Sequence, residues 1–243
     1  MLRPLDLVLS TFIDGETQGR EAVLDVLKRA QAGGMYSRTI EWKKIDADAT
    51  PMRVEAVQPA SAFPAGFTWD LSFNHAGKVT KIQQANVRPT GPAQATPIEL
   101  TEAMVDALAH ALENGTPTLA AYVNEHGQPS MSTRGTPQVF SDNETALWAR
   151  CRDTGMAKAV KENPLVPVFY YAHMGNPAYG NLQFQGRARV EEDQAICDRV
   201  YEGSPALEQR ADPERKGIAI IVELEKVSGL FAQTRYNMVK NVD

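Results

Sequence analysis

One stretch, Pro129 to Pro164, narrows most what this chain can become: PSMSTRGTPQVFSDNETALWARCRDTGMAKAVKENP. An alternating polar run, Ser130-Met131-Ser132-Thr133-Arg134-Gly135-Thr136, leads into Gln138-Val139-Phe140. Ser141-Asp142-Asn143 is a turn signal, and a second strand follows through Leu147-Trp148-Ala149-Arg150. A short helix is expected from about Thr154, stopped by Asn163-Pro164. Polar side chains on adjacent strands, followed at once by a helix N-terminus, suit the holding of an anion.

The rest of the chain bounds the kind of ligand. At 243 residues there is room for one large or two small domains. The net charge of −5 and pI near 5.5, with no Lys/Arg run, argue against nucleic acid as a partner. No apolar stretch approaches the roughly 20 residues of a membrane span. Pro4 and Asp14 interrupt what would be a signal peptide's apolar core, so a cytoplasmic protein is expected. Cys151 and Cys197 have no metal spacing and read as reduced, buried or half-buried thiols.

In chain order, Thr17 is placed to cap a helix to about Ala32, with Val23, Val26, Leu27 and Ala30 on one face and Gly33-Gly34 as its stop. Strands follow over Ser37 to Ile45, Arg53 to Gln58, Phe67 to Phe73 and Lys78 to Val87, the last two joined by a turn at Asn74 to Gly77. One helix on a curved antiparallel sheet is the expected α+β arrangement. Arg88 to Pro97, RPTGPAQATP, reads as a linker, which divides the chain into residues 1–95 and 96–243. In the second part, Thr101 caps a helix to about Glu113 that buries Leu100, Met104, Val105, Leu108 and Leu112. A hairpin follows, Thr118 to Val123 with its turn at Asn124 to Gly127. Val166 to Ala172, Asn181 to Val190 and Gly217 to Glu225 are further strands, with helices near Asp193 to Glu202 and Ser204 to Glu214. Some six strands with short turns suggest a small closed barrel.

Three pieces between Thr118 and Gly229 carry a resemblance: the opening hairpin Thr118-Leu119-Ala120-Ala121-Tyr122-Val123 with Gly127-Gln128-Pro129-Ser130, the junction Glu162-Asn163-Pro164-Leu165-Val166, and the strand Phe184-Gln185-Gly186-Arg187-Ala188-Arg189-Val190. In order and spacing they resemble the pyridoxamine-5'-phosphate-oxidase-like FMN-binding split barrels. Trp69 to Phe73 followed by Gly77 to Ile82 more faintly resembles the last hairpin of nuclear-transport-factor-2-like (SnoaL-like) domains. The first resemblance implies a split β-barrel in residues 96–243, an FMN cofactor and a homodimer. It places Arg134 at the family's phosphate-binding arginine and Thr154 at its hydroxyl position, with Ser132, Thr133, Gly135 and Thr136 nearby and Asn181 at an amide that meets the flavin ring. Gly155 and Met156 stand where the family has Arg and Lys, and Arg150 and Arg152 are the candidates to replace them. The same arginines also suit ordinary surface pairing with Asp142, Glu144 or Asp153, and both readings stand at this point.

No Ser-His-Asp set, metal spacing or Gly-rich dinucleotide loop occurs in the sequence, and no catalytic residue is assigned. His75, His126 and His173 fall in turns, and His110 on a helix. The resemblance implies an FMN- or deazaflavin-dependent oxidoreductase acting on a small molecule. The alternative is a protein that binds a flavin, haem or other small ligand without turnover. Val168, Phe169, Tyr170 and Tyr171 leave no polar side on their strand, which suits a sheet face covered by a second subunit.

Overall fold

Turn chemistry fixes the strand pairs. In the computed structural model, which describes residues 8–11, 15–32, 40–59, 61–135, 137–153, 155–173, 176 and 178–241, the sequences Asn74-His75-Ala76-Gly77 and Asn124-Glu125-His126-Gly127 form the same reversal. Each Asn Oδ1 accepts two backbone N–H bonds, from Ala76 and Lys78 and from His126 and Gln128, all at 3.0 Å. Gly77 and Gly127 take the left-handed position at φ +70 and +74, where a Cβ would strain the turn.

The chain is α+β and divides into two compact units, Met1–Ala93 with Ala232–Arg235, and Gln94–Phe231 with Tyr236–Asp243. The first holds β1 (Val8–Thr11), β2 (Gly15–Gln18), α1 (Arg20–Ala32), β3 (Glu41–Asp46), β4 (Met52–Val57), β5 (Gly66–Phe73) and β6 (Val79–Val87). Its six-stranded sheet runs β2-β1-β6-β5-β4-β3. Two features differ from expectation. Thr17 does not cap a helix: it pairs with Leu9 in β2, and α1 begins only after Gly19 turns the chain at φ +92. The sheet is not wholly antiparallel, because β1 pairs with β6 in parallel. Val23 and Val26 are buried on α1 with Leu27 and Ile82 against them. The expected strand start at Ser37 lies outside the described residues.

The second unit holds β7 (Thr96–Pro97), α2 (Glu102–Ala109), β8 (Thr118–Val123), β9 (Pro129–Arg134), β10 (Gln138–Ser141), β11 (Glu144–Ala149), α3 (Gly155–Glu162), β12 (Leu165–Ala172), β13 (Gly180–Val190), α4 (Gln194–Glu202), α5 (Ala206–Ala211), β14 (Ile218–Phe231) and, from Tyr236 on, β15 (Thr234–Val239). Thr101 caps α2, its Oγ1 accepting from Met104 N–H at 3.3 Å. The main path of the nine-stranded sheet is β10-β11-β14-β13-β12-β8-β9. Ala146 and Leu147 near one edge share a single buried cluster with Ala120 near the other, around Phe184, Ile220 and Val168. A sheet whose two ends meet in one core is curled on itself, as a split barrel requires. Burial of each of the larger ones, Leu147, Val168, Phe184 and Ile220, stabilises by about 1.5–3 kcal/mol.

The curl has a local cause. The β13–β14 register shifts between Gln185 and Gly186, and a Cβ on Gly186 would stand 2.0 Å from the Glu223 carbonyl oxygen. Only glycine permits that approach. The tail adds a strand that the sequence reading does not include: β15 pairs with β14 and β7, and Met238 is buried. Its turn carries no Gly or Asn signal: Ala232 and Gln233 hold φ +45 and +65 themselves. Cys197 is buried as expected, but Cys151 is exposed, because it follows the last residue of β11 rather than lying within the strand.

A polar anchor holds the α5 segment. Asp212, buried, accepts from Trp148 Nε1–H at 3.0 Å and from the N–H groups of Lys216 and Gly217 at 3.0 and 2.9 Å. Burial pushes the Asp212 carboxyl up, but the bonds from Trp148, Lys216 and Gly217 and the Lys216 charge outweigh it, and the net shift is below the usual carboxylate value. A depressed folded pKa means that this stabilisation is present above the unfolded value of about 3.9 and is lost as pH falls through the lower folded value. Asp212→Asn is therefore expected to cost about 1–3 kcal/mol near neutrality and to lose less on acidification than the wild type. Thermal melts across the acid range check both, and parallel acid limbs for the two proteins would refute the second.

Candidate functional site

Strand alternation sorts the side chains of β9. Ser130, Ser132 and Arg134 pair with Tyr122, Ala120 and Thr118, and directly paired residues share a face. Ala120 and Thr118 are fully buried, so this is the inner face, and α3 packs over it. Arg134 Nη2 lies 3.7 Å from Met156 Sδ, and Gly155, which opens α3 at φ +55, stands beside the Tyr122 hydroxyl. Lys158 Nζ reaches back 2.5 Å to Glu125 in the hairpin turn. Between the hairpin and α3 lies a cavity of about 320 Å³ lined by Tyr122, Asn124, Ser130, Asp153, Gly155 and Lys158. That is at the small end of ligand sites.

Deeper on the same face are two unsatisfied groups. Arg134 Nε and Ser132 Oγ are buried without a hydrogen-bond partner. Buried polar atoms are nearly always paired, and an orphan donor costs about 1–3 kcal/mol. Burial lowers the Arg134 pKa and the nearby Arg150 charge lowers it further, while Tyr122 and Glu208 oppose them. A guanidinium stays protonated under all these influences, so the face presents a permanent cation with an unused N–H donor.

The expected site residues are only partly brought together. Ser132 and Arg134 share the inner face. Gly135 follows them, and the Glu208 carboxylate packs so closely there that a Cβ on Gly135 would lie 2.7 Å from Oε1. Arg150 stands just beyond β11 with Nε 4.0 Å from Glu208 Oε2, and Arg152 is exposed. Thr133 pairs with Leu119, which pairs with Phe169. Phe169 in turn pairs with Gln183, two residues from the Tyr171–Asn181 pair. Thr133 and Asn181 therefore lie on the outer face, away from Arg134. Thr136 and Thr154 lie outside the described residues. Trp148 is core. Of the acids considered as surface partners, Glu144 pairs with Arg189 instead. Sequence reasoning missed Glu208 and Tyr122. Tyr122 was findable as the cross-strand partner of Ser130, whereas nothing in the sequence marks Glu208, which lies far along the chain in a six-residue helix.

The family positions held by Gly155 and Met156 have physical reasons for their departure. A residue at φ +55 favours glycine over arginine. Met156 is 2% exposed, so a lysine there would bury its charge beside the Arg134 guanidinium. Among the described residues no cluster of His, Cys, Asp or Glu is placed to hold a metal.

No family model matches the sequence, and no curated protein matches it. Solved structures similar in fold include HupZ of Group A Streptococcus, with 15% identity, covering 56% of this chain and 98% of that one at a TM-score of 0.44. A protein of Clostridium acetobutylicum related to general stress protein 26 of Bacillus subtilis, of the pyridoxinephosphate oxidase family, shares 12% identity over 58% of this chain and 96% of its own, at 0.43. An FAD-binding protein of Mesorhizobium loti shares 14% over 54% and 94%, at 0.40. The second of these names is of the class that the motifs between Thr118 and Gly229 resemble. The assignment of the fold rests on the chain's own sheet order and register.

The unpaired Ser132 hydroxyl leads to a test. Deleting a buried group that has no partner removes a desolvation cost, whereas deleting a partnered one removes a bond. Ser132→Ala is expected to leave ligand-free stability unchanged or slightly raised. Thr118→Val, whose hydroxyl donates to the Arg134 carbonyl at 3.0 Å, is expected to cost about 1 kcal/mol. Urea unfolding of both variants checks this, and a loss at Ser132 as large as at Thr118 would mean that a buried water pairs it.

Proposed function

We propose that this chain binds FMN through residues 96–243 and acts as an FMN-dependent oxidoreductase, or one using a deazaflavin, on a small molecule. The observation that supports the reading most is the half-buried Arg134, whose buried Nε–H is unused, on the same strand face as the unpaired Ser132 hydroxyl. These groups fit a ligand rich in acceptor oxygens, as a phosphate ester is. Arg134 would hold the phosphate as a guanidinium fork, Ser132 would add a hydroxyl donor, and Arg150 would add a cation from the end of β11. A bound flavin supplies the redox chemistry itself, so no protein acid or base is needed for electron transfer.

A second reading has its own support. Glu208 stands 4.0 Å from Arg150 and its charge acts on Arg134 as well, and a glycine and a buried methionine replace the two cations of the family. A weakened anion site suits a protein that holds a flavin, haem or other small ligand without turnover. The visible spectrum of the purified protein separates the readings: flavin bands keep the first, a Soret band moves the assignment to haem, and a colourless protein indifferent to added FMN removes the flavin. Where FMN binds, Arg134→Ala is expected to weaken it ten- to a hundredfold, since a bond to a charged group contributes about 1.5–3 kcal/mol and tenfold is about 1.4. Arg134→Lys should recover only part. Equal affinity in wild type and Arg134→Ala, by fluorescence titration, would remove the phosphate role.

The reading includes a C2 homodimer. Leu165 and Tyr171 on the outer face of β12 are 51% and 55% exposed, and Met131 on β9 is 73% exposed. Phe169 and Leu119 join them on that face. A second copy could cover it with the same patch, as an isologous interface does. Light scattering at micromolar concentration is expected to give twice the 26.7 kDa chain mass, and Leu165→Glu with Tyr171→Glu to give a monomer. A monomeric wild type would defeat the proposal.

A further inference from the structure

A carboxylate paired with Arg150 and within electrostatic reach of Arg134 is unexplained by an anion site. Glu208 is on α5, and its side chain is 20% exposed while that of Arg150 is 58% exposed. Oε2 lies 4.0 Å from Arg150 Nε, and Oε1 packs against the Gly135 backbone, one residue beyond Arg134. Among the described residues, its ion pair is with Arg150. The adjoining backbone is pinned. Gln209 Nε2 donates to the carbonyls of Tyr201, Glu202 and Ser204 at 3.2, 3.1 and 2.8 Å, and the Tyr201 hydroxyl donates to Gln209 O at 2.9 Å. With α5 held by its neighbour, what can move at Glu208 is its own side chain.

We propose that Glu208 is a built-in competitor for the anion site, a carboxylate that occupies the cationic space between Arg134 and Arg150 and must turn away before a phosphate monoester can use both. Two guanidinium charges offset by one carboxylate leave a single net positive charge. A phosphate monoester near neutral pH carries between one and two negative charges. Like charges brought to one site oppose each other, so Glu208 lowers the affinity of a dianion more than that of a neutral ligand. The site is thereby tuned against tight phosphate capture, and its selectivity is set by an acid some seventy positions from the strand that carries Arg134.

This inference deepens the phosphate reading of Arg134, but one arm of its test needs no flavin. The wild type, Glu208→Gln, Glu208→Asp and the double variant Arg134→Ala/Glu208→Gln are titrated with FMN and with riboflavin, which has the same ring and no phosphate. In parallel, the rise in melting temperature with inorganic phosphate is measured against chloride at equal ionic strength. Glu208→Gln is expected to bind FMN roughly tenfold more tightly, with riboflavin unchanged within about twofold. It should gain more melting temperature from phosphate than the wild type does. Glu208→Asp, with the same charge on a shorter stem, should fall between. The double variant should lose most of the gain. The melting temperature in chloride shows whether each variant is folded, and Glu208→Asp carries the test if Glu208→Gln is not. Equal FMN affinity in the wild type and Glu208→Gln overturns the inference and leaves the flavin reading standing. A larger phosphate response in Glu208→Gln with no FMN binding in any variant does the reverse. A gain shared equally by riboflavin, or fully retained without Arg134, also overturns it.

Discussion

A sheet closes around its own core only where neighbouring strands can slip and bend, and in the β13–β14 ladder that place is Gly186. The long β13–β14 ladder would be regular but for the shift at Gln185/Gly186, where Glu223's carbonyl comes too close for any side chain. The shift lets the sheet coil, and coiling puts β8 and β11, from opposite halves of the strand order, into one buried cluster. The ends of β9 and β11 then lie within electrostatic reach of each other, which no local pattern in either strand provides. The candidate site is thus a consequence of closure.

Burying a guanidinium without giving it every partner makes a face that is less stable alone than with a ligand. Arg134 meets a thioether at Nη2, nothing at Nε, a second cation at a distance and one carboxylate. Met156 is suited to that place because sulfur is polarisable and its side chain fills irregular space. The stability withheld here is supplied by the apolar cluster beneath, where Phe184, Ile220 and Leu224 are wholly buried.

Local order was largely legible in the sequence. The twin Asn-x-x-Gly turns, the Thr101 cap and the alternation of Leu182, Phe184 and Ala188 against Gln183, Gln185 and Arg187 all reappear in the structure. What escaped reading did so for identifiable reasons. β15 follows a turn in which Ala232 and Gln233 themselves hold positive φ, so no turn residue announced it. Thr17 was a good cap by chemistry, but pairing with Leu9 claimed its backbone first. At the site, Arg134 and Ser132 were visible because alternation puts them on one face. The same alternation separates Thr133 from them, and Asn181 lies on that outer face several strands away. Glu208 was invisible because no periodicity links it to residues 134 and 150.

The departures at Gly155 and Met156 belong to the same physical account. α3 begins at a left-handed residue near the Tyr122 hydroxyl, and its next side chain turns wholly into the core. A side chain at Gly155 would be strained by its φ of +55, and a cation at Met156 would be buried. The positive charge here comes instead from Arg134 and Arg150 near the ends of β9 and β11, and Glu208 of α5 lies 4.0 Å from Arg150. The net charge presented to a ligand is a balance among three side chains held by three different elements, and a change in any one alters it without disturbing the core that positions the others.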